Sequence, residues 1–111
     1  MQSTTQSSST INLIHLLVVA PLFFYIGYQQ TNNPAWIYSL LGLLGVVVTG
    51  YHAYRYLTTG RQINLIHILI GICLLLTYYW GSTLPSSIYP AFTIAGVIVL
   101  LLHAYLLYQK Q

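Results

Sequence analysis

Four histidines and two asparagines stand in otherwise apolar stretches, and they are the residues whose types and spacing suggest chemistry. The pentapeptide INLIH occurs at residues 11–15 and again at 63–67, and HAY closes two further apolar runs at 52–54 and 103–105. Histidine is the commonest metal ligand as the neutral imidazole and titrates near neutral pH. His15, His52, His67 and His103 are therefore candidate ligands for haem b, bound non-covalently because no CxxCH is present, or for a transition metal such as copper or zinc. Asn12 and Asn64 lie three residues before a histidine, on the same helical face, and are placed to bond a ring nitrogen or a neighbouring helix. Gly45 and Gly96 lie seven residues before His52 and His103, two turns away on the same face. They form a notch where a backbone or a flat macrocycle can approach.

Composition removes other chemistries. The chain of 111 residues is 57% hydrophobic, contains no Asp or Glu, and has only three Lys plus Arg. Without carboxylates there is no acid/base pair, no Ser-His-Asp triad, and no calcium or magnesium cage, so an enzyme is the less favoured class. Arg55, Arg61 and Lys110 do not cluster, so no patch neutralises several phosphates and no nucleic-acid partner is expected. Cys73 is the only cysteine, which excludes an intrachain disulfide; its apolar surroundings predict a small buried residue. Soluble domains carry about 25% charged residues, against 3% here. The partner of most of this surface is therefore the lipid bilayer.

The elements that must position these residues are membrane spans. About 20 apolar residues cross a bilayer core, and four segments have that character: 11–28, 35–57, 63–81 and 87–108. Residues 1–10 read as a disordered polar tail without the positive region of a signal peptide. Thr10 is placed to cap the first helix, and Asn33 with Pro34 to cap and open the second. Pro21 should kink the first span, and Pro90 falls in the first turn of the fourth. Gly42, Gly45 and Gly50 mark the second span as a close-packing helix. Short links make sequential helices antiparallel. The Lys and Arg residues then share one side with both chain ends, which the positive-inside rule assigns to the cytoplasm.

The chain reads as a duplication. INLIH recurs at an offset of 52 residues, whereas HAY, Pro34/Pro85, Tyr38/Tyr89 and Gly45/Gly96 recur at 51. The predicted fold is all-α: a four-helix transmembrane bundle of two tandem, parallel-repeated hairpins, 11–57 and 63–108, joined by a cytoplasmic link at 58–62. Alternating helix direction brings the four histidines to one depth, roughly 6–8 Å inside the apolar boundary. Three functions compete for that layer. It can be interhelical packing in a structural or assembly protein. It can be a haem or metal site for electron transfer. It can be a histidine-gated proton or ion path, although no acidic ring is present to attract cations. Polar groups inside membranes face the bundle interior, which all three readings require.

The pattern NLIH…APLFFYIGY, a polar link containing Asn33-Pro34-Ala35-Trp36, then LLG…YHAYRYL, resembles small multi-pass membrane proteins of large nucleocytoplasmic DNA viruses of algae and protists. The resemblance covers one hairpin, residues 11–57. The second half keeps INLIH and HAY and departs over residues 71–80. It implies a viral inner membrane or a host membrane as the setting, and it implies no activity. Single-hairpin relatives would have to dimerise to build the same core, and a homo-oligomer is an accompanying expectation.

Overall fold

The computed structural model describes residues 9–109. Among these the fold is all-α, with no strand. The elements are α1 (Ser9–Ile14), a π-helical turn (His15–Val19), α2 (Ala20–Gln29), α3 (Ala35–Thr59), α4 (Ile63–Trp80) and α5 (Tyr89–Gln109). Short 3₁₀ turns at Gln30–Asn32, Gly81–Thr83 and Ser86–Ile88 occupy the links. Four segments are long and apolar enough to cross a membrane: Ser9–Asn32, Ala35–Thr59, Ile63–Thr83 and Ser86–Gln109. In hydrocarbon each backbone N–H and C=O needs an internal partner, and the helix supplies it within one segment. Large apolar side chains such as Leu17, Leu57, Leu69 and Leu101 lie exposed along these helices, as lipid-facing residues do.

The helix boundaries correct several sequence expectations. Ser9 and Thr10 are already helical, so Thr10 is not the cap of the first helix; the remainder of the expected tail, residues 1–8, and the charge of Lys110 lie outside the described residues. The N-cap of α3 is Pro34, with φ −65° and ψ 154° and no side-chain cap. Its carbonyl accepts the Ile37 N–H at 3.0 Å. Proline fixes the extended entry that Asn33 was expected to supply by a side-chain bond. Cys73 is exposed rather than buried. A span that is apolar on every side gives no phase from which to tell its lipid face from its packed face.

Gly60 ends α3 in the left-handed region (φ 68°), and its N–H bonds the Tyr56 carbonyl at 2.8 Å, an αL cap that glycine enters without a Cβ clash. The first and third spans end alike. Gln30 (φ 52°, ψ −124°) and Gly81 (φ 53°, ψ −132°) adopt one turn conformation, 51 residues apart. The second copy places glycine there, and the first holds a side chain in a region that costs strain.

The described residues divide into two compact units: 9–32 with 85–109, and 33–84. In one, α1 and α2 pack on α5; in the other, α3 packs on α4. The packing boundary thus differs from the repeat boundary. Each unit joins one INLIH helix to one HAY helix, and in both units the two helices come from different copies.

The π turn accounts for the two repeat offsets. Asn12 and Asn64, both buried, are 52 residues apart. Beyond the turn, the buried pairs Ala20/Gly71, Phe23/Leu74 and Ile26/Thr77 are all 51 apart. One extra residue therefore lies between His15 and Ala20 in the first copy. A π turn bonds i to i+5 instead of i+4 and absorbs one residue without changing the phase of what precedes it; here the Ala20 N–H reaches the His15 carbonyl. Pro21, where the second copy has Ile72, then falls in the first turn of α2, where its missing N–H is harmless. The π turn lies directly before the proline at which the sequence predicts a kink.

Candidate functional site

The site is built from the crossing point upward. In the α3–α4 unit a Cβ added to Gly45 would meet the Gly71 carbonyl at 2.9 Å and Leu75 at 2.8 Å. One added to Gly71 would meet the Thr49 backbone nitrogen at 2.9 Å and the Gly45 carbonyl at 3.2 Å. Two backbones touch here, in the small-residue contact that draws helices together in membranes. Gly42 receives the ring of Tyr78, with Cγ 2.7 Å from a built Cβ. Gly50, by contrast, has nothing within 4 Å, so it takes no part in the close packing expected of it.

The other unit repeats the arrangement with altered sizes. Gly96 faces the Phe24 ring at 3.1 Å and the Ala20 carbonyl at 3.4 Å, so Ala20 stands where Gly71 stands in its counterpart. Gly27 on α2 accepts Thr93 of α5, whose backbone nitrogen would lie 3.0 Å from a Cβ. The equivalent layer of the first-described unit has glycine on the opposite helix, Gly42 against Tyr78. Phe23 and Phe92 meet edge to face at 5.6 Å. The notches at Gly45 and Gly96 are therefore filled by the partner helix, and neither is an open slot for a macrocycle.

This close approach sets the histidines face to face. His52 stacks on His67 with ring centroids 4.3 Å apart and planes at 21°. His15 stacks on His103 at 4.1 Å and 5°. The structure thus brings the four predicted residues together as two pairs, one in each unit.

The hydrogen bonds fix the chemistry of each ring. His15 Nδ1 lies 2.7 Å from the Ile11 carbonyl, and His67 Nδ1 lies 2.9 Å from the Ile63 carbonyl. The first and last letters of INLIH are bonded to each other in both copies. His103 Nδ1 lies 2.9 Å from the Val99 carbonyl. His52 Nδ1 lies 2.8 Å from Asn64 Oδ1, and the Asn64 amide nitrogen donates to the Arg61 carbonyl at 3.2 Å. A carbonyl oxygen only accepts, so all four Nδ1 atoms carry the proton and donate it. In their neutral form the four rings would share one tautomer, with the lone pair on Nε2.

Of the two predicted asparagines, Asn64 clasps α4 to α3 through His52. Asn12 does not repeat this. It is 0% exposed, and neither its amide oxygen nor its nitrogen has a partner. Nothing in the sequence separates the two, since both stand at the second position of INLIH.

The geometry bears on each chemistry considered for these rings. An axial pair on iron points two Nε2 atoms at each other across the metal, whereas stacked rings at about 4 Å present faces to each other and aim their lone pairs sideways. Among the described residues no group of three or more His, Cys, Asp or Glu is placed to hold a metal ion. A proton relay through imidazole needs the Nδ1 proton to move on, and a backbone carbonyl that accepts it passes no proton further. No family model matches the chain, no curated protein matches it, and no solved structure matches it.

Proposed function

We propose that the chain is a small multi-pass integral membrane protein of structural or assembly type, with both termini on the cytoplasmic side. Its histidines act as polar clasps that hold paired helices in register. The observation that carries this reading is that each imidazole stacks on another and gives its Nδ1 proton to a protein oxygen. The groups resembling ligands thus bind the protein itself. In lipid, apolar side chains gain little by leaving the solvent, so packing and interhelical hydrogen bonds drive association. A clasp of stacked rings beside a glycine crossing supplies both. The viral or host membrane as the setting rests on the resemblance of residues 11–57 alone.

The test separates the two parts of the clasp. His52→Gln keeps a donor for Asn64 and removes the stack; His52→Phe keeps the stack and removes the donor. Each should lower the unfolding free energy in mixed micelles by about 0.5–1.5 kcal/mol, with insertion unchanged. Variants as stable as the wild type that lose a bound chromophore or a proton current would overturn the structural reading.

A further inference from the structure

We propose that His103 switches between two acceptors, the Val99 carbonyl and the buried amide of Asn12, and that the unit of α1, α2 and α5 therefore has two hydrogen-bonded states. The inference rests on the internal repeat and is independent of the function proposed above.

One constellation occurs twice in different states. The HAY histidine of each unit stacks on the INLIH histidine. In one unit its Nδ1–H donates across the helix pair to Asn64. In the other it donates back along its own helix to Val99, and the equivalent asparagine, Asn12, is fully buried with both amide atoms unpartnered. Val48 stands to His52 as Val99 stands to His103, so by the repeat the asparagine oxygen and the carbonyl one turn back are the two candidate acceptors of each HAY histidine. Burying an amide without a partner is costly, and the repeat shows the partner that relieves it. In the second state the Asn12 nitrogen would donate to the Ser9 carbonyl, as that of Asn64 does to Arg61.

The switch needs no proton transfer, because both acceptors are oxygens and the donor is Nδ1–H in both states. It needs no unstacking either. The pair bonded through Asn64 remains stacked with its planes at 21°, against 5° in the other.

Nitrogen-15 spectra of full-length protein labelled at both histidine and asparagine, in lipid nanodiscs, test this. The wild type should give one sharp Nδ1–H signal for His52, and for His103 either two signals or one broadened by exchange. Asn12→Leu should collapse His103 to a single sharp signal, and Asn64→Leu should move His52 to a similar carbonyl-bonded shift. If Asn12→Leu fails to insert, His103→Phe keeps the stack and removes the donor. The Asn12 amide, exchanging in the wild type, should then give one unbonded signal. A single sharp His103 signal in the wild type, unchanged by Asn12→Leu, would overturn the proposal; so would an Asn12 amide unaffected by His103→Phe.

Discussion

Replacing Gly71 should separate α3 from α4. In Gly71→Ala the new methyl meets two backbone atoms, the Thr49 nitrogen at 2.9 Å and the Gly45 carbonyl at 3.2 Å. Neither can turn aside as a flexible side chain would, so the helices must move apart. Overpacking of this kind costs about 1–3 kcal/mol, and Gly71→Leu should exceed it, because widening the crossing also pulls the His52–His67 stack apart. Gly50→Ala is the matched control. It lies on the same α3 helix, and its methyl meets nothing within 4 Å. A dodecyl sulfate titration followed by circular dichroism should show earlier unfolding for Gly71→Ala, earlier still for Gly71→Leu, and no loss for Gly50→Ala. A Gly71→Leu midpoint equal to wild type would mean that α3 and α4 do not cross there.

Deleting one residue should have opposite consequences in the two INLIH helices. Removing Ile70 from α4 rotates everything before it by about 100°, carrying Asn64 and His67 off the face that meets α3. The bond to His52 and the stack are lost together. An interhelical hydrogen bond of up to about 1.7 kcal/mol and a ring pair of about 0.5–1.5 kcal/mol put the loss near 2–3 kcal/mol. Removing Val18 from the first span, with Pro21→Ile, converts the π turn into ordinary helix and reproduces the spacing of the second copy. His15 keeps its phase against His103, and stability should stay close to wild type. The same titration checks both deletions. Equal damage from the two would show that the π turn does not hold the additional residue.

Most of the architecture is legible in the sequence because lipid imposes it. Apolar runs fix the spans, proline and glycine fix the links, and a duplicated pentapeptide fixes the repeat. The pairing of helices is not legible. An INLIH helix offers the same asparagine and histidine to the HAY helix of either copy, so the chemistry alone does not choose between them. The candidate histidines were visible as types, but their stacking was not: it depends on how closely glycine crossings such as Gly45 on Gly71 bring the backbones, and on Nδ1 finding a carbonyl one turn back. The difference between offsets of 52 and 51 already held the π turn, yet only the burial pattern on either side of it shows where the extra residue sits. Asn12 and Asn64 are identical in local sequence and differ in structure, so their contrast had no sequence signal at all.

On the structural reading proposed above, the histidines clasp helices and ligate no cofactor. The most direct test is the visible absorption spectrum of the full-length protein, expressed with haem available, purified in detergent, and recorded oxidised and after dithionite, alongside metal analysis of the same sample. The expected result is a featureless visible region and no stoichiometric transition metal. A Soret band with sharp reduced bands, lost in His52→Gln or His103→Gln, would contradict it and make the chain a haem-binding electron-transfer protein.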